Sequence, residues 1–410
     1  MNKKINILLL SLLPLSFMAC SDDDDSKSKE IKVDIQSEYD TPTFELLTIS
    51  PAVDNQNASY RWILTKNPVD NVTDSVLSTT KDLEFITVYS GVYELTFEVT
   101  DGTDKGSRTT IINVSEETSK YDPYITRIYD YDPAPGTFAN ECYKSKGATK
   151  EDVMKIALGR IDRTSVGYPL DLGNFGGSIV VGFDHTVVNV PGEKDFRVYG
   201  KSSTMTTPVA PGLIFVAYDK NGNGMPDADE WFEIKGSAHE TNLINSNFSI
   251  TYNRPASDKK PIQIGAGDAF YDRESVLCDN SDGESYYLTL YKNKPELCPS
   301  WVNKDKFTYT GKRLDVHLRQ SEPGVYTGFL FDTFDWGYVN AKDPDIDIDW
   351  AVDKDGKAVH LPGVDFIKIF NCVSSGEEMM YSWTQTSMNT KFAGAADLHI
   401  LEKYKLKTLK

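Results

Sequence analysis

Residues 91–102 read GVYELTFEVTDG, and this stretch decides the fold. Tyr93, Leu95, Phe97 and Val99 fall at every second position, with polar or small residues between them. Only an extended chain puts such a series on one face, so the stretch is a half-buried antiparallel strand. Asp101-Gly102 then supplies a tight turn, and residues 108–114 complete a hairpin. Upstream, residues 59–65 (SYRWILT) show the same period of two around Trp62. Residues 31–117 as a whole are short alternating runs separated by turn residues, which predicts an all-β domain.

A tryptophan in an early strand, followed late by G-x-Y-x-L-T-x-x-V-T-D, resembles the polycystic-kidney-disease (PKD) family of Ig-like sandwiches over about 85 residues. The resemblance implies a spacer or adhesive module, and it makes Trp62 a core residue rather than a ligand platform. No chemistry is assigned to this domain.

Residues 118–140 contain Asp122-Pro123, Asp132-Pro133 and Pro135-Gly136, which break regular structure and read as a linker or the lead-in to a second domain. A single short helix follows. Thr149 is its expected N-cap, Glu151 and Asp152 sit in the dipole-favoured first turn, Val153, Ile156 and Ala157 form its apolar face, and Gly159 is its expected stop. Strands are then expected at 178–183, 195–199, 213–218, 231–234, 285–291, 327–331 and 365–370. Gly/Pro/Asp-rich loops separate them, and no helix of 10 to 15 residues intervenes. That order predicts a second, larger β-sandwich of jelly-roll type over residues 141–410. The runs GNFGGSIVVGFDHT (173–186), VPGEKDFRVYG (190–200) and DIDWAVDKDGKAVHLPGVDFIKIF (347–370) resemble a family of Bacteroidota cell-surface proteins with a PKD-like domain ahead of a jelly-roll-like region. The resemblance implies surface attachment and capture of a nutrient beside an outer-membrane TonB-dependent transporter.

The first 25 residues, MNKKINILLLSLLPLSFMACSDDDD, address the chain. Lys3 and Lys4 precede an apolar run too short to span a bilayer, and residues 1–19 read as a signal peptide. Phe17-Met18-Ala19-Cys20 resembles a lipobox, which implies that Cys20 is acylated. Asp22 to Asp25 repel one another and form a tether over residues 20–30; they also resemble the export signal of outward-facing lipoproteins. The expected location is therefore the outer membrane, lipid-anchored and surface-exposed. The formal net charge is −18, and loss of the two leader lysines leaves −20. Such a field excludes nucleic acid as a partner, because phosphate binding rests on lysine and arginine.

The sharpest chemical motif is YDKNGNGMPDADEW, residues 218–231. Asp219, Asn221, Asn223, Gly224 and Glu230 match the D-x-[DN]-x-[DN]-G-x5-E calcium loop. Hard oxygens would come from Asp219, Asn221, Asn223, the Met225 carbonyl, Asp227 and Glu230. Strand-like flanks place the loop in a hairpin connection, with a structural calcium as the expected cofactor and a metal-free Asx turn as the alternative. Asp343, Asp345, Asp347 and Asp349 alternate along an extended segment and read as a solvated face before a second metal site. Residues 353–356 (DKDG) read as a hairpin turn. Cys142, Cys278, Cys298 and Cys372 allow three complete pairings, and Cys278 with Cys298 closes the shortest loop considered.

Catalytic motifs are missing: the five histidines are dispersed, and neither HExxH nor GxSxG occurs. A carboxylate pair for glycoside hydrolysis leaves no sequence signature. Aromatics point to binding instead. Phe334, Asp335, Trp336 and Tyr338 cluster around Gly337, and Trp231, Trp301 and Trp383 lie near polar loops. The expected function is capture without turnover of an extracellular glycan or, as the family resemblance alone implies, a cobalamin-like nutrient. A glycan hydrolase and a protein-binding adhesin are the rival readings.

Overall fold

In the computed structural model, alternation becomes architecture. The model describes residues 28–53, 57–69, 75–136, 148–161, 169–201, 209–254, 273–291, 298–299, 301–302, 304–316, 318–322, 325–331, 333–374 and 389–406. Cys20, the aspartate run, Cys142 and Trp383 lie outside these residues. Gly91–Asp101 is a strand whose Tyr93, Leu95, Phe97 and Val99 are all buried. It pairs with Asp104–Ser115 through a two-residue turn in which Gly102 adopts φ 58°. The sheet runs Glu38–Pro42, Asp104–Ser115, Gly91–Asp101, Ser59–Lys66, Ser75–Ser78, with the first pair parallel. Leu47–Ile49 pairs with Leu83–Phe85 as a separate ribbon, which shares the buried cluster of the five-stranded sheet. Trp62 is fully buried at the centre, 4.8 Å from the Phe97 ring, and donates Nε1–H to the Lys81 carbonyl at 3.1 Å. This is the expected Ig-like sandwich.

The larger region is also all β, but it stacks three sheets. Its middle layer runs Arg127–Asp132, Ser178–Val188, Gly363–Asn371, Gly212–Ala217, Trp231–Ile234, Ala351–Val352, with Tyr338–Val339 beside Gly212–Ala217. One face puts Ile214, Val216, Ile367 and Ile369 against Phe196, Val198, Phe392 and Ile346. Those last four come from the sheet Leu170–Asp171, Lys391–Asp397, Phe196–Gly200, Asp345–Ile346. The other face puts Leu213 and Phe370 against Phe248, Ile250, Tyr252 and Val276, carried by the sheet Ser285–Tyr291, Arg273–Asn280, Ile244–Asn253, Lys306–Leu314. Burial on both faces explains why Gly363–Asn371 and Gly212–Ala217 are nearly continuous apolar runs.

Three expectations need correcting. Residues 118–140 are not purely a linker, because Arg127–Asp132 forms the edge strand of the middle sheet. The helix is Lys150–Ile161, started by Thr149, whose Oγ1 accepts from Asp152 N–H at 3.2 Å. It passes through Gly159 and buries Val153, Ala157 and Ile161 at four-residue spacing, leaving Ile156 half exposed. A second helix, Leu398–Lys403, is capped by Asp397, whose carboxylate accepts from Ile400 N–H at 2.9 Å. No helix among the described residues is long and apolar enough to cross a membrane.

The two regions touch. Ile86 and Val88 pack on Val188 and Val190, Tyr89 donates its hydroxyl to Glu193 at 3.3 Å, and Lys403 pairs with Glu116 at 2.5 Å. The crevice beside this contact, lined by Tyr89, Tyr93, Val190 and His360, holds only about 50 Å³, room for a water or two.

Candidate metal loop and ligand cleft

The calcium-like sequence connects Gly212–Ala217 to Trp231–Ile234, which pair antiparallel with Ala217 opposite Trp231. It is thus a long hairpin loop, as its flanks imply. Asp219 Oδ1 accepts from Asn223 N–H at 3.0 Å, and Oδ2 from Gly224 N–H at 2.7 Å. Asn221 Oδ1 accepts from Asn223 N–H at 3.0 Å and Asn223 Oδ1 from Met225 N–H at 2.7 Å. Both carboxamides donate to Asp227 Oδ2 at 2.7 Å. Glu230, buried, closes the ring by accepting from Lys220 N–H and Asp227 N–H, each at 3.1 Å. Gly222 and Gly224 hold φ 69° and 73°, the left-handed turns such a loop needs.

Apart from Asp227 Oδ2, which accepts twice, each accepting side-chain oxygen keeps a second lone pair, so these bonds orient a set of hard oxygens without using it up. That donor set suits calcium. Among the described residues no three His, Cys, Asp or Glu side chains gather into a metal site by themselves; a cation here would depend on the two carboxamides and a carbonyl as well. The loop is anchored from below by Asp365 of the middle sheet, which accepts from Asp219 N–H at 2.7 Å and from the Thr186 hydroxyl at 2.6 Å. Burial, followed by the nearby Asp219 and Glu230 carboxylates, raises the Asp365 pKa against the pull of those two donors.

The expected aromatic cluster is only partly a surface. Tyr338 is fully buried, with Phe334 4.9 Å from its ring, so both belong to the core beneath the loop. Trp336 leans on Trp350 at 4.5 Å, and Lys194 Nζ lies 3.4 Å over the Trp350 ring. Asp335 is exposed and pairs with Lys342 at 2.6 Å. Trp231 is half-buried at the start of its strand.

Trp301 lines a separate open cleft of about 770 Å³, together with Asp132, Val302, Lys304, Lys306, Phe307, Thr308 and Tyr309. Asp132 ends the edge strand of the middle sheet, and Phe307 and Tyr309 alternate along the edge strand Lys306–Leu314, so the cleft opens between two sheet edges. Tyr309 donates its hydroxyl to Asp132 at 3.4 Å. Burial raises the Asp132 pKa, with Lys150 opposing it, and burial lowers that of Lys368 nearby. Half-buried Trp301, Phe307 and Tyr309 beside a desolvated carboxylate and two exposed lysines make an amphipathic trough. Sequence reasoning reached Trp301 but missed Asp132, Phe307 and Tyr309. The signal available was the alternation in KFTYTGK, residues 306–312.

The aspartate series is a solvated face only in part: Asp343 and Asp349 are exposed, while Asp345 and Asp347 are half-buried. A 3-10 turn, Ile348–Trp350, interrupts it. Asp345 binds Arg197 at 2.5 and 2.7 Å, Asp347 caps the turn, and Asp349 accepts from Asn189 at 2.8 Å. Residues 353–356 form the expected turn, with Gly356 N–H on the Asp353 carbonyl at 2.9 Å. The expected disulfide is absent: Cys278 and Cys298 are buried thiols in the second core cluster. Cys278 Sγ is turned to the Val276 carbonyl of its own strand, 3.6 Å away. His239 sits between Glu233 and Tyr338, at 3.0 and 3.2 Å, a buried bracing network completed by Lys312 on Glu233.

No family model matches the chain, and no curated protein matches it. Among solved structures, a human PKD domain is 15% identical, covering 25% of this chain and 96% of its own, with TM-score 0.21. A quinonprotein alcohol dehydrogenase-like protein from Bacteroides thetaiotaomicron is 12% identical over 60% of this chain and 53% of its own, TM-score 0.17. A protein from Corynebacterium diphtheriae described as membrane anchored is 8% identical over 66% and 60%, TM-score 0.15. Likenesses this slight carry no argument about what the chain binds.

Proposed function

We propose that this chain is a lipid-anchored, outward-facing binding protein of the PKD-domain lipoprotein type. Its three-sheet domain captures an extracellular glycan or other small nutrient and presents it to an outer-membrane transporter. The observation that carries the binding reading is the cleft between sheet edges: flat Trp301, Phe307 and Tyr309 surfaces supply apolar contact, while Asp132 and the rim lysines supply directional bonds, the lining that sugar-like ligands need. The leader supports the location, with Cys20 as the acylated residue. Calcium in the Asp219–Glu230 loop has a structural part, holding the hairpin end against Asp365.

Calorimetry of the unacylated mature chain against a glycan panel and cobalamin tests this. Trp301→Ala is expected to weaken the selected ligand roughly 30-fold, the ~2 kcal/mol typical of a buried aromatic anchor, with the melting temperature retained. Binding unchanged in that variant refutes the cleft, and product formation that Asp132→Asn abolishes turns the reading to a hydrolase. Cys20→Ser is expected to abolish fatty-acid labelling in cells.

A further inference from the structure

His185 has a side chain only 1% exposed, yet it lies between two carboxylates. Its Nδ1 is 2.8 Å from Asp184 Oδ1 and its Nε2 is 2.9 Å from Asp397 Oδ2. A neutral imidazole has one N–H and one acceptor nitrogen, so acceptors at both nitrogens call for the doubly protonated ring. Both carboxylates are fixed in place: Asp184 accepts from Asp122 N–H at 3.2 Å, and Asp397 caps the helix Leu398–Lys403.

The ring's other neighbours lie at the domain contact. Phe44 of the Ig-like domain meets it edge-on at 5.9 Å, and Tyr121 of the connecting segment lies 5.0 Å away. Phe44 is held at φ 64°, unusual for a bulky residue. The helix reaches the Ig-like domain again through Lys403, which pairs with Glu116, donates to the Val88 carbonyl at 3.4 Å and sits 5.1 Å over the Phe44 ring. One turn earlier, His399 meets Asp195 at 3.0 Å and Glu193 at 3.5 Å, and Glu193 also accepts the Tyr89 hydroxyl of the Ig-like domain.

We propose that His185 and the helix it secures form a proton-dependent lock between the two domains, closed while the ring is doubly protonated and released when it loses a proton. Deprotonation leaves a ring nitrogen's lone pair facing a carboxylate in a buried site, which breaks one of the two bonds that fix the ring beneath Phe44.

Burial opposes a charged His185, but Asp184 and Asp397 outweigh it and hold its pKa above the ordinary 6.5. His399 is raised in the same way, by Asp195, Asp397 and Glu193 against burial, while burial pushes Asp195 up to about 6. Other charged or titratable groups at the contact include Glu45 and Glu117 beside Tyr121, Glu402 beside Tyr89, and Glu84 and His360 in the crevice. A raised histidine contributes coupling that is complete below its unfolded value and is lost as pH rises through the folded one. The lock is therefore closed in mildly acidic surroundings and opens on the alkaline side.

Scanning calorimetry of the full mature chain at pH 6 and pH 9 reads the coupling. One transition at pH 6 and two at pH 9 are expected, and His185→Gln should show two at both. Asp184→Asn, at a less buried position, serves if that variant does not fold; it should lower the pH at which the transitions separate by about one unit. The same number of transitions at both pH values in the wild type and in Asp184→Asn would overturn the proposal. So would nitrogen NMR showing an unprotonated His185 ring nitrogen at pH 6.

Discussion

A structural calcium at the Asp219–Glu230 loop would make a quantitative demand on stability. A ligand that binds only the folded chain stabilises it by RT ln(1 + [L]/Kd). Extracellular calcium modules have Kd of roughly 10⁻⁴ to 10⁻³ M. At about 2 mM calcium the gain is then about 1.8 kcal/mol at the tight end and about 0.6 at the weak end. For a domain of about 250 residues, each kcal/mol moves Tm by about 2–4 °C, giving a shift of about 1–7 °C. The assay is differential scanning fluorimetry of the mature chain in calcium and in chelator. Asp219→Ala removes the carboxylate that accepts from Asn223 and Gly224 N–H. It should cost about 1 kcal/mol in chelator, since both donors lie at an exposed loop and regain water, and it should abolish the calcium increment. Superimposable melting curves with and without calcium refute the metal reading and leave a hydrogen-bonded Asx loop. An increment surviving in Asp219→Ala refutes the ligand assignment alone.

Trp62→Ala opens a cavity at the centre of the Ig-like domain and removes the bond to Lys81, and about 3–5 kcal/mol of stability should be lost by denaturant unfolding. Gly176→Ala, at φ 94°, puts a Cβ 2.2 Å from the Tyr309 ring; about 1–3 kcal/mol of destabilisation should accompany weaker cleft binding in calorimetry. Glu233 is buried, but His239 and Lys312 outweigh that burial and lower its pKa from 4.5. Its contribution is complete above that value and lost as pH falls, so the stability gap between wild type and Glu233→Gln should be about 1–3 kcal/mol at pH 7 and shrink below pH 4 in denaturant titrations.

The sequence exposed whatever depends on local period. Residues 91–102 gave strand, face and turn together because one side of that strand meets water and the other meets Trp62. Trp231–Ile234 and Ser285–Tyr291 were legible to the residue. The third sheet was harder to see, since Ile244–Asn253 and Lys306–Leu314 carry Asn, Ser, Thr and Lys on their open faces, which dilutes the apolar alternation. Tyr338 illustrates the limit on site reading: its neighbours look like a ligand loop, and only the layers packed above it show that its ring is core. Asp132 and Tyr309 lie 177 residues apart, so no local pattern could join them. The helix passed Gly159 because a lone glycine costs a helix only about 1 kcal/mol and Ile161 still had a core to enter.

Both sheets that share the first core of the larger domain receive an inner strand from the chain's last fifty residues. Gly363–Asn371 separates Ser178–Val188 from Gly212–Ala217, and Lys391–Asp397 separates Leu170–Asp171 from Phe196–Gly200. Until those strands arrive, four earlier ones lack the partner they are built to hydrogen-bond. The Ig-like domain, by contrast, has its last strand complete by residue 115. Folding of the chain is therefore ordered in time: the Ig-like domain can form as soon as it emerges, while the larger domain waits for the final stretch to thread between strands already present. Loss of only the last fifty residues would leave a correctly folded Ig-like domain with the larger domain undone.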